Sequence, residues 1–169
     1  MRTKSKSFNI VICPPSEISK KAIGVSKKLT SKGSLFVLDG KNYFPHITFY
    51  MTEFPLKNVT MIRKLLRQLA TKTKPFQINS LRYRQDENGY IDVVYRRSSN
   101  VNGLQKKIIK LLNPLREDLI RDKDQARMGE LTKAGQKNIK LYGHRSVGVK
   151  YFPHLTFTKL EKFSNSDFS

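Results

Sequence analysis

Two histidines and two threonines occur in matching contexts in this chain. The segment 43–49, YFPHITF, returns at 151–157 as YFPHLTF, and the copies differ only where Ile is replaced by Leu. The chain has three histidines, and His46 and His154 occupy the same place in the two copies. Segments rich in β-branched and aromatic residues favour strands, in which residues two apart share a face. Each copy is therefore predicted to place an imidazole and a hydroxyl on one face of a strand and apolar side chains on the other.

Two such faces supply the groups that acid–base attack on a phosphodiester requires. Opening a cyclic phosphate across the 2′ and 3′ oxygens of ribose needs a base for the attacking water and an acid for the departing oxygen. These act on opposite sides of phosphorus, so one imidazole cannot serve both, and the pKa of histidine, about 6.5, suits either role. We predict that His46 and His154 are the base and the acid, in either order. Thr48 and Thr156 are predicted to donate hydrogen bonds to the phosphate oxygens.

The duplication is what gives this interpretation weight. A single His-x-Thr in a strand means little, because both residues are ordinary in strands and short motifs are only hypotheses. A repeat kept for packing alone would preserve Phe, Pro and Ile or Leu and leave the polar face free to vary. Here the polar positions match as well.

The motifs at 46–48 and 154–156, each preceded by Pro and followed by an apolar residue, resemble the 2H phosphoesterase superfamily. They look most like its branch of 2′-5′ RNA ligase-like (LigT-like) cyclic phosphodiesterases. The resemblance implies an α+β, bilobal duplicated fold, in which two antiparallel sheets face a central groove, helices lie outside and each lobe contributes one motif. It implies hydrolysis with no metal and no nucleotide cofactor. It also implies that substrates are 2′,3′-cyclic phosphates, ADP-ribose 1″,2″-cyclic phosphate or 2′-5′ linkages, and that some members trim or join RNA ends.

The charge of the chain indicates a polyanionic partner. Its 169 residues carry 33 Lys+Arg against 13 Asp+Glu, a formal charge of +20, and 38% of them are hydrophobic. This length predicts one domain, 1–169. So basic a chain attracts polyanions in a salt-sensitive way, with RNA or DNA as the favoured partner, although a high pI can also serve solubility alone. Together with the motifs, this predicts that the partner is RNA or a nucleotide with a cyclic phosphate. The alternative function is a non-catalytic basic RNA-binding module that recognises terminal phosphates. Within the enzyme class, an exonuclease that leaves a cyclic phosphate is a further alternative.

The single cysteine and the apolar runs bear on location. Cys13 cannot form an internal disulfide, and its place in the apolar run 8–13 predicts a buried, inert thiol. That run is too short for a signal peptide or a membrane span. We therefore expect a cytoplasmic monomer with no membrane contact. Nothing in the sequence resembles a Cys/His zinc cluster, a carboxylate pair or a phosphate-cradling Gly-rich loop.

Hydrophobic periodicity predicts alternating strands and helices around the motifs. A short basic tail is expected at 1–7 and a flexible tail at 161–169. The stretch 116–140 mixes charges without periodicity and is predicted to be a surface excursion of helix and loop, with no counterpart in the motif resemblance. The predicted helices are 16–33, 59–69 and 98–115, the last ending or kinking at Pro114, and the predicted strands are 8–13, 35–38, 43–49, 76–84, 90–95, 141–149 and 151–157.

Several other side chains could line the site. Strand parity puts Phe44 and Tyr50 on the face of His46, and Phe152 on the face of His154. An aromatic ring there could stack a base, although core packing is the commoner role of such rings. Cationic candidates for an anionic groove are Arg82, Arg84, His144 and Arg145, of which His144 is more readily interpreted as a solvent-facing loop residue.

Overall fold

The computed structural model describes residues 4–161. Residues 1–3 and 162–169, which include all but the first residue of the predicted C-terminal tail and the start of the basic N-terminal tail, lie outside the described residues. The fold is α+β with two antiparallel sheets, as the sequence predicted at that level: β1 pairs with β2, and β3, β4 and β5 pair in that order. The elements are β1 (Ser5–Ile12), α1 (Ser16–Lys28), β2 (Ile47–Pro55), α2 (Val59–Lys72), β3 (Ser80–Gln85), β4 (Tyr90–Tyr95), α3 (Ser99–Leu112), α4 (Asp122–Ala126), α5 (Lys133–Tyr142) and β5 (His154–Lys159).

The described residues divide into two compact units. Unit 1 contains residues 4–10, 49–78 and 97–152, and unit 2 contains residues 11–48, 79–96 and 153–161. Both His-x-Thr motifs, 46–48 and 154–156, therefore lie in unit 2. The two units do not correspond to two lobes that carry one motif each, which is what the resemblance implied.

The three-stranded sheet of unit 2 begins with the predicted hairpin. β3 and β4 pair antiparallel across a turn in which the Asp86 carboxylate accepts from the backbone N–H groups of Asn88 (2.9 Å) and Tyr90 (3.0 Å). Gly89 closes the turn at φ +83°, and a Cβ there would lie 2.9 Å from the Leu160 carbonyl oxygen. Only glycine fits both the left-handed backbone and this close approach. The turn thus fixes which residues of β3 and β4 face one another.

The predicted strand at 35–38 is wrong, and side-chain hydrogen bonds explain why. One isolated bridge joins Ser34 to Leu160, and the Leu35 N–H donates to the Lys159 carbonyl at 2.8 Å, but at Phe36 and Leu38 backbone groups bond to side chains. The N–H of Leu38 donates to Ser26 Oγ at 2.9 Å, and the carbonyl of Phe36 accepts from Thr158 Oγ1 at 2.6 Å. Ser26, which α1 supplies, also donates to the Phe157 carbonyl at 2.7 Å and so ties α1 to β5. These hydroxyls take the places that a strand ladder would occupy.

Helix α3 forms much of the core of unit 1. Ser98 is its N-cap, because its side chain accepts from the Val101 N–H at 3.2 Å. The helix ends at Leu112, before Pro114, as predicted, and a 3-10 turn follows it. Its buried apolar face carries Val101, Leu104, Ile108, Ile109 and Leu112.

The segment 116–140 consists of helices and loops that are mostly accessible to solvent, as predicted, but buried cations anchor it to the rest of unit 1. Arg116 is 1% exposed, and its guanidinium donates to the carbonyls of Leu119, Lys140 and Leu141. Asp124, fully buried in α4, pairs with Arg121 and Arg127. Charge without apolar periodicity signals a solvated surface in sequence, yet here the charges bond to one another and to carbonyls inside the unit.

Two further predictions fail at the ends of strands. Cys13 is exposed, because β1 ends one residue before it and the prolines that follow lead the chain away. The predicted strand at 141–149 is the end of α5 followed by a 3-10 turn at Gly148–Lys150. The Arg97 guanidinium holds that turn by donating to the carbonyls of Gly148 (3.1 Å) and Val149 (3.0 Å). The Arg97 side chain therefore has a structural role within unit 1.

Candidate functional site

The two motifs show the same alternation of burial. In each copy the proline, the Ile or Leu and the final Phe are buried, while the histidine and the threonine are partly exposed. The period-2 prediction for the motif faces is thus matched in both copies. The buried set is Pro45, Ile47, Phe49, Pro153, Leu155 and Phe157, and the partly exposed set is His46, Thr48, His154 and Thr156.

A tight turn leads into the first motif, residues 46–48. The Asp39 carboxylate accepts from the backbone N–H groups of Lys41 (2.7 Å) and Tyr43 (3.0 Å), and these bonds hold the pKa of Asp39 below its usual value. The Tyr43 ring stacks on Phe36, with centroids 5.1 Å apart and planes 19° apart. The approach to His46 is therefore fixed by contacts within the ten residues that precede it.

His46 lies immediately before β2 and is oriented by Phe44. Its Nδ1 atom is 2.8 Å from the Phe44 carbonyl oxygen, which can only accept, so Nδ1 carries the hydrogen and Nε2 is the proton acceptor of the neutral ring. The Phe44 ring lies 5.2 Å from the imidazole, centroid to centroid, and is 39% exposed. Phe44, predicted from strand parity, is thus beside the first motif.

The second motif, residues 154–156, begins β5 and lies in register with two arginines. Across the sheet, His154 is opposite Val94 and then Arg82, while Thr156 is opposite Asp92 and then Arg84. Residues directly opposite in antiparallel strands point to the same face. Neighbouring strands are about 4.8 Å apart. Arg82 and Arg84, which the sequence offered only as candidates, therefore share the face of His154 and Thr156.

A buried carboxylate joins Thr156 to Arg84. Asp92 is 1% exposed, accepts a 2.7 Å hydrogen bond from the Thr156 hydroxyl at Oδ1 and pairs with the Arg84 guanidinium at Oδ2. Asp92 was absent from the candidates found in the sequence. The signal was present: Arg84 and Asp92 have opposite charges and flank a hairpin turn. The predicted donation from Thr156 to phosphate must compete with this existing bond, because a hydroxyl has one hydrogen.

Tyr50 is not a base-stacking residue. It is 1% exposed, and its hydroxyl lies 2.7 Å from the Tyr142 carbonyl and 3.0 Å from Asn113 Oδ1. Burial raises the pKa of Tyr50 to about 12. Strand parity fails here because β2 is covered on both faces from Phe49 onward. Tyr50 and Phe152, which is partly buried, belong to unit 1 and not to the unit that holds the motifs.

His144 and Arg145 also belong to unit 1. Arg145 is exposed, whereas His144 is partly buried and is not the solvent-facing loop residue that the sequence suggested. Its Nδ1 accepts from the Ser146 N–H at 3.3 Å. Burial lowers the pKa of His144 to about 4, and the positive charge of Arg121 contributes in the same direction. His144 therefore stays neutral at ordinary pH.

Within residues 4–161, no three His, Cys, Asp or Glu side chains are grouped so that they could hold a metal ion. No helix in the same range has the length and apolar character needed to cross a bilayer. Comparisons of the chain with protein-family models, with curated proteins and with solved structures found no match.

Proposed function

We propose that this chain is a phosphodiesterase of the 2H type, acting on 2′,3′-cyclic phosphate or 2′-5′-linked RNA ends, and able to run in reverse as a 2′-5′ RNA ligase. The observation that carries the proposal is the duplicated His-x-Thr motif, which has the same burial in both copies and lies within one compact unit. We attribute the two copies to a duplicated, bilobal ancestry. Packing explains why both copies keep Pro, Ile or Leu and Phe, and we attribute the retention of His and Thr to a common chemical task.

In the proposed reaction, one histidine removes a proton from water as the water oxygen attacks phosphorus. The bond from phosphorus to the 2′ or 3′ oxygen breaks, and the other histidine protonates that oxygen. The neutral ring of His46, with its hydrogen at Nδ1, can begin the reaction as a base at Nε2. Its hydrogen bond to the Phe44 carbonyl persists when Nε2 gains a proton, so the ring keeps its orientation throughout.

Positive charge on the face of the second motif supports binding of an anion. Arg84 is paired with the buried Asp92, so much of its charge is balanced inside the unit. Arg82 is exposed and is opposite Val94 in the row that ends at His154. We assign Arg82 as the guanidinium that attracts the substrate phosphate, because arginine presents paired donors to phosphate oxygens.

The direct test replaces His46 and His154 by Ala, singly and together, and measures hydrolysis of a 2′,3′-cyclic nucleotide in the presence of a chelator. Positioned proton transfer contributes ~10²–10⁴-fold, so each single variant is expected to lose at least ~100-fold in kcat. His144→Gln is the matched control, because it removes the third histidine without touching either motif. Full turnover in either Ala variant would reject the proposal.

A specific observation favours the second candidate function, a basic RNA-binding module. The exposed face of α2 lines an open hollow of about 430 Å³, formed by Thr60, Arg63, Lys64, Arg67 and Gln68. α2 contains no acidic residue, so its cations at spacings of three and four lack helical partners and repel one another by a few tenths of a kcal/mol. An RNA backbone supplies the missing negative charge.

The salt dependence of RNA binding distinguishes a specific contribution of the exposed face of α2 from the general effect of the formal net charge of +20. The triple variant Arg63→Gln, Lys64→Gln, Arg67→Gln is compared with Lys20→Gln, Lys27→Gln, Lys28→Gln, which removes the same charge from exposed positions of α1. If single-stranded RNA uses α2, only the first variant reduces the slope of log K against log salt, by about 2 for three phosphate contacts. Equal slopes in the two variants would reject a site at α2. If the unsubstituted chain binds RNA but does not hydrolyse a 2′,3′-cyclic nucleotide, the binding module is favoured over the enzyme.

A further inference from the structure

The hydrogen bond of Thr156 has a direction, and the direction limits what Thr156 can do. Its hydroxyl donates its one hydrogen to Asp92 Oδ1 at 2.7 Å. Asp92 is buried and its second oxygen pairs with the Arg84 guanidinium, so both oxygens of this ion-paired carboxylate are acceptors. With its hydrogen held by Asp92, the Thr156 oxygen presents lone pairs on its remaining sides.

We propose that Asp92 is a positioning residue that makes Thr156 a hydrogen-bond acceptor toward the substrate. Thr156 then accepts from an O–H group, either the attacking water or, in the reverse direction, a ribose hydroxyl. Donation to the phosphate oxygens falls to Thr48. This inference rests on the proposed function, and it revises the role that the sequence predicted for Thr156.

The chemistry of the two ligand types supports this division. The non-bridging oxygens of a phosphodiester carry no hydrogen, so they repel an oxygen whose lone pairs face them. Water and ribose hydroxyls carry hydrogens and are suitable donors. His154 lies two residues from Thr156 on the same face, about 7 Å along the strand at 3.4 Å per residue. A water between the two side chains can bond to both.

A purely structural role for Asp92, neutralising Arg84, is the alternative, and Asp92→Asn separates the two. The amide oxygen of the introduced side chain is expected to face Arg84, which needs an acceptor, so its NH₂ group faces Thr156. The Thr156 oxygen then accepts from that NH₂ group, and its hydrogen is released toward the substrate side. The variant reverses the polarity of Thr156 with little change in shape.

The experiment measures kcat and KM for a 2′,3′-cyclic nucleotide and the dissociation constant of inorganic phosphate by calorimetry. Polarity reversal predicts opposite changes: kcat falls by about tenfold, while phosphate binds several-fold more tightly because Thr156 can now donate to it. A structural role predicts that turnover, phosphate affinity and thermal stability all decline together, and that result would overturn the inference. Unchanged or increased turnover in Asp92→Asn would also overturn it. Asp86→Asn is the matched control, since the Asp86 carboxylate serves only the hairpin turn in the described contacts.

A double-mutant cycle tests whether Asp92 acts through Thr156. Adding Asp92→Asn to Thr156→Val should change kcat no further, whereas adding it to Thr48→Val should give the product of the two separate effects. Additivity with Thr156→Val would contradict the inference.

Should Asp92→Asn fail to fold, Thr156→Val alone decides the polarity. An acceptor predicts that this variant binds phosphate at least as tightly as the parent chain, and a donor predicts binding about tenfold weaker. The phosphate measurements need no turnover. A failed histidine test would therefore remove the proposed reaction while leaving the polarity of Thr156 separately measurable.

Discussion

His46 of the first motif is oriented by a residue close in sequence, whereas Thr156 of the second motif is held by distant parts of the chain. His46 bonds to the carbonyl of Phe44, two residues before it, and the turn at Asp39 fixes the approach. Thr156 bonds to Asp92, 64 residues away, which in turn pairs with Arg84. The histidine of one motif and the threonine of the other are thus held by partners at very different distances along the chain. The repeat sets which side chains face the site, and the neighbouring elements set what those side chains can do there.

The first consequence of this comparison is that the two motifs should depend unequally on neighbouring charged side chains. Thr156 of the second motif bonds to Asp92, a buried carboxylate that needs its cation, whereas the contact that orients His46 is with an uncharged backbone carbonyl. Changes in unit 2 that remove one member of the ion pair should therefore affect the second motif far more than any single change near His46 affects the first.

The largest expected effect in stability is that of Arg84→Met. It leaves Asp92 buried without its guanidinium, and removing one partner of such a pair lowers the free energy of unfolding by about 3 kcal/mol. Arg82→Met, two residues away and exposed, should change it by less than about 0.5 kcal/mol. Urea unfolding of both variants measures the difference. Equal values would show that the second motif does not depend on the ion pair.

An intermediate effect comes from pH and lies outside both motifs. Arg121, Asp124 and Arg145 surround His144, whose pKa of about 4 in the folded chain is below its unfolded value of about 6.5. Between these values the unfolded chain binds the proton, so stability is complete above pH 6.5 and declines as the pH falls toward 4. The loss should reach about 2 kcal/mol, because partial solvent contact weakens the full effect.

Urea unfolding at pH 7, 5.5 and 4.5 checks this, with His144→Gln expected to flatten the His144 part of the pH dependence. The same slope in both chains would refute it. The result also helps the comparison of the motifs, because a fall in turnover at low pH can then be distinguished from unfolding at low pH.

The smallest expected effect is on orientation of the two histidines. Phe44→Leu removes a ring contact from His46, and such contacts are worth about 0.5–1.5 kcal/mol, so kcat/KM should fall by about three- to tenfold. Phe152→Leu, at the equivalent place, should have less effect because pairing with Val94 fixes His154 in the sheet. Steady-state kinetics with one cyclic nucleotide compares them. A larger loss in Phe152→Leu would reverse the contrast between local and distant support.

The sequence was sufficient to predict which motif side chains share a face of the strand, but not which residues those side chains contact. Alternation with period 2 is local, so the placement of His and Thr opposite Ile or Leu and Phe could be predicted from seven residues. The role of Asp92 depends on the register of three strands. Within Tyr90–Tyr95 it is one acid in an apolar strand, and its role can be recognised only when that strand is paired through the hairpin with the strand that carries Arg84.

Other errors have similar causes. Tyr50 was assigned to the site because strand parity puts it on the same face as His46. Parity does not show whether the rest of the protein covers that face, and at Tyr50 it does. The stretch 116–140 showed no apolar period because Arg116 and Asp124 organise it through hydrogen bonds and ion pairs. Helices α2 and α3 were predicted because their apolar residues recur at helical spacing, although the exposed faces they offer to a partner depend on tertiary packing.

Unit 2 is assembled from three separated stretches of chain, and this has a consequence for how the site comes into being. β4 can pair with β3 as soon as the hairpin leaves the ribosome, but β5 joins them only after about sixty further residues have been synthesised. Pairings this distant in sequence form slowly, since a long loop must close first. Until β5 arrives, Asp92 remains unsatisfied by Thr156, and the second motif does not yet exist. We therefore expect a nascent chain to gain the proposed activity only after β5 has paired with β4.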